Sequence, residues 1–348
     1  MSWLVWRQHR RQALFALAGL IALAAFLVPT GTRMQHAFER AGLPGCLSAA
    51  ARVEFVQVGE NPDQASDQAR RCHELAGQFA DRFGGLDRVG ILLWFLPLLA
   101  GLFWGAPLVA REVEHGTYQL VWTQGVSRRR WALAKFGLVG GGVVLAAASY
   151  ALLVTWWRGP LDQATGQRFG LYLFDLQGLV PVGYALFALA LGVFAGVLTR
   201  TTQTAMAITL VGFLAARLPV ELLARPRFLA PLTRTFPVAG ITAPNQLSGD
   251  WILRAGVYDA KGALRSGGAS GAIFGDSAQA VCGTPPGAAP DPLLEQCLAN
   301  YGPGAYNQEL IHPADRFWLF QGIETALFVA LAVLLLLAAL HWVRRRIA

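Results

Sequence analysis

Lysine is nearly missing from this chain. Of 348 residues only Lys135 and Lys261 are lysines, and Phe136 and Gly262 follow them. A phosphate-binding loop ends Gly-Lys-Ser or Gly-Lys-Thr, because the ammonium reaches the phosphates and the hydroxyl holds magnesium. Neither lysine completes that pattern, so the chain cannot by itself bind ATP in the P-loop manner. Catalytic groups are also scarce. The six histidines, His9, His36, His73, His115, His312 and His341, fall in loops or at the edges of apolar stretches. His73-Glu74 starts like a zinc-protease motif but lacks the second histidine four residues on, and no Gly-x-Ser-x-Gly occurs. The four cysteines have no partners at metal-ligand spacing. The expectation is a catalytically silent chain with no metal or cofactor of its own.

Charge is scarce as well. Only 14% of residues are charged while 54% are hydrophobic, a balance that would leave a soluble globule with uncovered apolar surface. Lipid resolves that excess. Six apolar stretches, 12–29, 89–110, 136–157, 176–198, 205–224 and 317–340, lie near the roughly 20 residues needed to cross about 30 Å of hydrocarbon. The expected fold is an all-α integral membrane protein of six transmembrane helices with two sizeable outer loops. Segments 1–11, 111–135, 199–204 and 341–348 carry 12 arginines and lysines against two acids, Glu112 and Glu114, whereas the alternate segments are nearly balanced. The net charge of +8 is therefore a topology signal that places both termini in the cytoplasm. Basic residues confined to membrane edges argue against nucleic acid as a partner, and membrane lipid is the expected surround.

The first stretch reads as a retained anchor, the other possibility being a cleaved signal peptide. The expected organisation is an interfacial segment and first span (1–29) and an outer loop (30–88), with a helix over 63–82. Spans two to five follow (89–224), containing a cytoplasmic segment at 111–135. An outer subdomain (225–316) precedes a sixth span and basic tail (317–348). In the subdomain, 251–259 reads as a strand, Lys261-Gly262 as a turn and 291–299 as a short helix, with a re-entrant start around 226–237. Cys46 and Cys72 fall in the first outer loop and Cys282 and Cys297 in the last. Of the three possible pairings we prefer Cys46–Cys72 with Cys282–Cys297, since an oxidising compartment would face both loops.

Three ionisable residues lie inside the spans: Arg217 and Glu221, one helical turn apart, and Glu324. At about 1.5 Å per residue, Arg217 and Glu324 both sit about 10 Å below the outer surface. Intramembrane charges tend to pair. The expectation is an ion pair between Arg217 and Glu324 with Glu221 nearby, closing the bundle on its outer side. Gly101-xxx-Gly105, Gly137-xxx-Gly141 and Gly192-xxx-Gly196 are candidate sites of close helix contact. Phe95, Phe103, Trp104 and Phe213 are candidate path-lining residues.

Between the second and third stretches, Gly116 can stop a helix and Thr117 cap a new one, while Gly125 and Ser127 repeat that pattern before the third span. A short surface helix over 117–124 follows from this. The run Ala110-Arg111-Glu112-Val113-Glu114-His115-Gly116-Thr117, then Trp122-Thr123-Gln124-Gly125-Val126-Ser127-Arg128, with Trp131 and Lys135, resembles the membrane subunits of type-2 ATP-binding-cassette exporters, particularly actinobacterial permeases. Arg316 through Glu324 is similar to the start of the last span in that family. The resemblance implies a coupling helix at about 112–124 docking on a separate P-loop ATPase subunit, which would hold the ATP and magnesium. It also implies a homodimer or pseudo-homodimer of permeases and outward transport. Glu112, Glu114, Gly116, Thr117, Tyr118 and Trp122 would form the ATPase-coupling element. The competing reading is a membrane-anchored scaffold or sensor without transport activity.

Overall fold

A computed structural model describes residues 2–50, 55–57, 64–115, 128–238, 242–244, 248–268 and 301–346. Six helical stretches among them are long and apolar enough to cross a membrane: Arg10–Arg40, Arg71–Glu114, Leu133–Thr165, Val180–Thr199, Thr202–Arg227 and Ala314–Val343. The first belongs to α1 (Ser2–Arg40), which runs well past the expected end of its span and takes Pro29 in its interior. The reason is a stripe. Leu27, Gly31, Met34 and Phe38 are buried at helical spacing, so the polar-looking continuation is an amphipathic helix. Thr30 Oγ1 donates to the Phe26 carbonyl at 2.8 Å in the turn that follows the proline. After α2 (Leu43–Ala50), helix α3 (Gln64–Phe83) buries Cys72, Ala76 and Phe79 on one face. Cys46 and Cys72 are joined by a disulfide that ties α2 to α3.

The second span is broken. It comprises α4 (Asp87–Leu93), α5 (Leu96–Ala100), a π turn over Gly101–Gly105 and α6 (Ala106–Glu114). The third is the continuous α7 (Arg128–Thr165), and the short α8 (Leu173–Leu176) leads to the fourth, α9 (Val180–Thr199). Helix α9 is apolar on all sides and forms the centre of the bundle. Two-thirds (67%) of its spanning window is buried, against 6% for α1. It ends at Arg200, whose φ of 60° is left-handed, and the chain reverses at once into α10 (Thr202–Pro219). A second π turn, Val220–Ala224, continues α10. The last span is α11 (Phe317–Arg346).

Glycine sets the closest approach in the bundle. A Cβ added to Gly101 or Gly105 would lie 2.5 Å from the carbonyl oxygen of Ala188 or Leu189 on α9. One added to Gly192 would lie 2.6 Å from Ala106 N and the Gly101 oxygen. Two of the three small-residue motifs therefore face each other, backbone against backbone. The third does not, since among the described residues nothing lies within 4 Å of a Cβ built at Gly137 or Gly141.

At one end of the bundle the 225–316 region forms a sheet. Residues 226–237, expected as a re-entrant start, hold a turn and a strand. A 3-10 turn over Arg225–Arg227 leads directly into β2 (Leu232–Pro237). With β4 (Trp251–Tyr258), β5 (Leu264–Gly268) and β6 (Tyr306–His312) it makes an antiparallel sheet in the order β2-β6-β4-β5. A separate two-stranded ladder pairs β1 (Phe55–Gln57) with β3 (Thr242–Pro244). The β4–β5 turn is closed by Asp259, whose carboxylate accepts the backbone N–H groups of Lys261 and Ala263 at 2.9 and 2.8 Å, and Gly262 supplies its φ of +82°. The Ala263 bond above all holds the Asp259 carboxyl below its ordinary range. The expected helix over 291–299 and Cys282 and Cys297 lie outside the described residues.

Candidate functional site

Beneath the sheet the bundle interior holds a cluster of charge. Helix α10, its π turn and the 3-10 turn that follows present Arg217, Glu221 and Arg225 in that order, four residues apart, and all three are buried. Helix α8 contributes Asp175, α9 contributes Tyr184 and α11 contributes Glu324, each of them fully or almost fully enclosed. Arg217 Nη2 donates to Asp175 at 2.6 Å and Nη1 to the Trp94 carbonyl at 3.1 Å. Arg225 forks onto Glu324, with Nε donating at 2.7 Å and Nη2 at 2.8 Å, and Nη2 also meets Asp175. The Tyr184 hydroxyl donates to Glu324 and sits 3.2 Å from Asp175 Oδ1. Trp94 Nε1 donates to Asp175 as well, at 3.2 Å.

Aromatic faces complete the enclosure. The Arg217 guanidinium lies 3.7 Å from the Trp94 ring centre and 4.3 Å from that of Tyr184, and Arg225 lies 4.2 Å from that of Phe174. Desolvated cations over rings gain more than exposed ones. The cluster thus joins the second, fourth, fifth and sixth spans and the α8 connection.

The expected pairing of Arg217 with Glu324 is corrected by this geometry. Asp175 bridges the two arginines, and the partner of Glu324 is Arg225. Glu221 is buried, but its Oε2 accepts no hydrogen bond among the described residues. Asp175 and Arg225 escaped sequence reasoning because they flank apolar windows and read as loop residues. The 217–221–225 spacing was the available signal.

A histidine seals the boundary with the sheet. His312 at the end of β6 is buried, with Nε2 3.1 Å from the Pro226 carbonyl and Nδ1 3.3 Å from Arg316 Nη1. Arginine can only donate, so Nδ1 accepts and Nε2–H donates, which is the neutral tautomer. Burial lowers its pKa, the Pro226 carbonyl opposes this and the Arg316 charge adds to it. On the sheet itself Arg234 reaches Glu309 at 2.7 Å and Asp250 at 3.0 Å.

At the opposite end of the bundle, the segment singled out for coupling begins at Glu112 and Glu114. Neither acid projects freely. Glu112 on α6 is buried and hydrogen-bonded to Lys135 of α7, itself almost fully enclosed. The Glu114 carboxylate accepts the backbone N–H of Thr202 at 3.2 Å and its hydroxyl at 2.9 Å. It therefore supplies an anion at the first turn of α10, where unpaired N–H groups favour one. Gly116, Thr117, Tyr118 and Trp122 lie outside the described residues.

The candidate path residues are not gathered. Phe213 is core, packed on Tyr184 and Phe187. Phe95 and Phe103 point out of the bundle, 44% and 52% exposed. Only Trp104 lines a hollow, an apolar cavity of about 730 Å³ between α1, the second span, α7 and α9, with Leu20, Leu96, Gly142 and Ala185 on its walls.

Against known proteins, the family model described as ABC-2 membrane transporter related matches residues 17–225, which cover the second, third and fourth spans, most of the first and fifth, and most of the cluster. No curated protein and no solved structure matches the chain.

Proposed function

The chain belongs to the ABC-2 membrane transporter related family, and from that premise we propose that it couples ATP hydrolysis on a separate P-loop subunit to outward movement of a substrate. As a family member it is a multi-pass membrane protein and the non-catalytic, membrane-embedded component of a transporter. In the proposed arrangement the 116–127 segment faces the cytoplasm and docks on the ATPase, the sheet faces outward, and two such chains flank the path.

One observation carries this reading. The segment is held at its root by two acids, each of which grips a different span. Glu112 ties α6 to Lys135 of α7, and Glu114 ties α6 to the start of α10. A push on the segment is therefore delivered to the second, third and fifth spans together. The acids transmit the push from within the subunit, while the residues beyond Gly116 meet the partner.

Purification from native membranes in mild detergent, followed by mass spectrometry and an ATPase assay, tests the proposal. A stoichiometric P-loop ATPase is expected. With Glu114→Ala the complex should persist but its substrate-stimulated turnover should fall, because the docking residues remain and the link to α10 is gone. A chain that purifies alone, or with a partner lacking ATPase activity, would overturn the proposal and favour a scaffold.

A further inference from the structure

The buried cluster contains an unequal number of charges. Its cations are Arg217 and Arg225, whereas its carboxyl groups are Asp175, Glu221 and Glu324. The hydrogen bonds show which acids the cations serve. Arg225 spends Nε and Nη2 on Glu324 and shares Nη2 with Asp175, and Arg217 spends Nη2 on Asp175 and Nη1 on the Trp94 carbonyl. The other polar neighbours add no positive charge. Tyr184 on α9 is committed to Glu324, and the Tyr150 hydroxyl on α7 donates to the Leu93 carbonyl at 3.3 Å. His312 is on the far side of Pro226, neutral and bonded to that residue's carbonyl.

Glu221 is left over. It is only 4% exposed, its Oε2 has no hydrogen-bond partner among the described residues, and the hydrogen bonds of both arginines within its electrostatic reach go to other acceptors. An uncompensated carboxylate in such a place is costly, and buried acids without a counter-charge neutralise themselves instead. We propose that Glu221 is a proton-binding site inside the bundle, carrying a proton at neutral pH so that the five-residue cluster is electrically neutral. Release of that proton to the medium leaves a net negative charge against Asp175 and Glu324, which weakens the hold of α10 on α8 and α11. The π turn adds a structural reason for the site. Widening the helix by one residue at 220–224 keeps both Glu221 and Arg225 on the buried face. The inference stands whether or not an ATPase partner is found.

Infrared difference spectroscopy on the full chain in lipid nanodiscs tests it. The wild type at neutral pH should show the carbonyl stretch of a neutral carboxylic acid, lost in Glu221→Gln and lost from the wild type as pH is raised. Glu221→Gln, which copies the protonated form, should fold and melt like the wild type. Glu324→Gln, which removes a carboxylate that Arg225 needs, should cut the yield of folded protein several-fold. Absence of the band, or a Glu221→Gln protein as damaged as Glu324→Gln, overturns the proposal. Either result would mean that Glu221 is ionised and paired, and Arg217, whose Nε has no hydrogen-bond partner among the described residues, has a donor left for it.

Discussion

Asp175→Asn would leave two guanidiniums facing one carboxylate in the interior. Stripping one partner from a buried ionic network costs about 3–5 kcal/mol, because the remaining charge is stranded. The variant should therefore melt well below the wild type. Adding Arg217→Met should recover part of the loss, since the stranded cation is then removed. Thermal melts of the three proteins in one detergent check the order. His312 gives a pH dependence of the same sign as a paired carboxylate, though burial rather than pairing is its first cause. Its folded pKa is lowered from an ordinary value near 6.5, so the neutral ring contributes fully above about pH 6.5. That contribution drains away as pH falls through the lowered folded value. Protection of the β4 and β6 amides against hydrogen exchange, corrected for the intrinsic pH dependence of exchange, should fall between pH 7.5 and 5, and His312→Gln should flatten the change. At this scale the sequence displayed charges wherever apolar residues surrounded them. Arg217, Glu221 and Glu324 were visible for that reason. Asp175 and Arg225 were not, because a window average assigns a residue at its edge to the loop.

Among the elements, the contact between the π turn of the second span and α9 should be the least forgiving of added volume. Gly192→Ala puts a methyl 2.6 Å from backbone atoms that cannot rotate away, so the helices must separate. Overpacking of that kind typically costs 1–3 kcal/mol. Gly141→Ala, in a motif of the same spacing, meets nothing within 4 Å among the described residues and should gain about 0.5–1 kcal/mol from helix propensity. A pair of melting curves separates them. All three glycine motifs look alike in sequence, because spacing says nothing about what faces a helix. The sheet shows the same blindness in reverse. Strand β4 was legible from its apolar and β-branched residues. In β6 the inward positions include Asn307 and Glu309, the latter neutralised by Arg234, so its alternation is inverted and no apolar stripe marks it. The extension of α1 beyond Pro29 was hidden by charged residues on its exposed face.

For the whole molecule, six spans and their order were readable because hydropathy reports length and lipid contact directly. Which span stands at the centre was not, since α9 and α11 have similarly apolar sequences and only packing distinguishes them. The arrangement around α9 has a mechanical meaning. Helices α9 and α10 form a hairpin whose closed end is fixed by Glu114 on Thr202 and whose open end is fixed by Arg217 and Arg225 on Asp175 and Glu324. A rod pinned at two points along its length has one motion left. It can turn about the line through the pins, as a shaft turns in two bearings, but it cannot slide. If nucleotide binding on a partner drives this chain, spin labels at the exposed positions Val211 and Leu218 should swing relative to α11 while their height along the bundle stays fixed. Cutting the lower pin with Glu114→Ala leaves the upper one in place, so the Val211 label should tilt out of its arc while the Leu218 label, beside the intact pin, keeps its place, turning a rotary stroke into play.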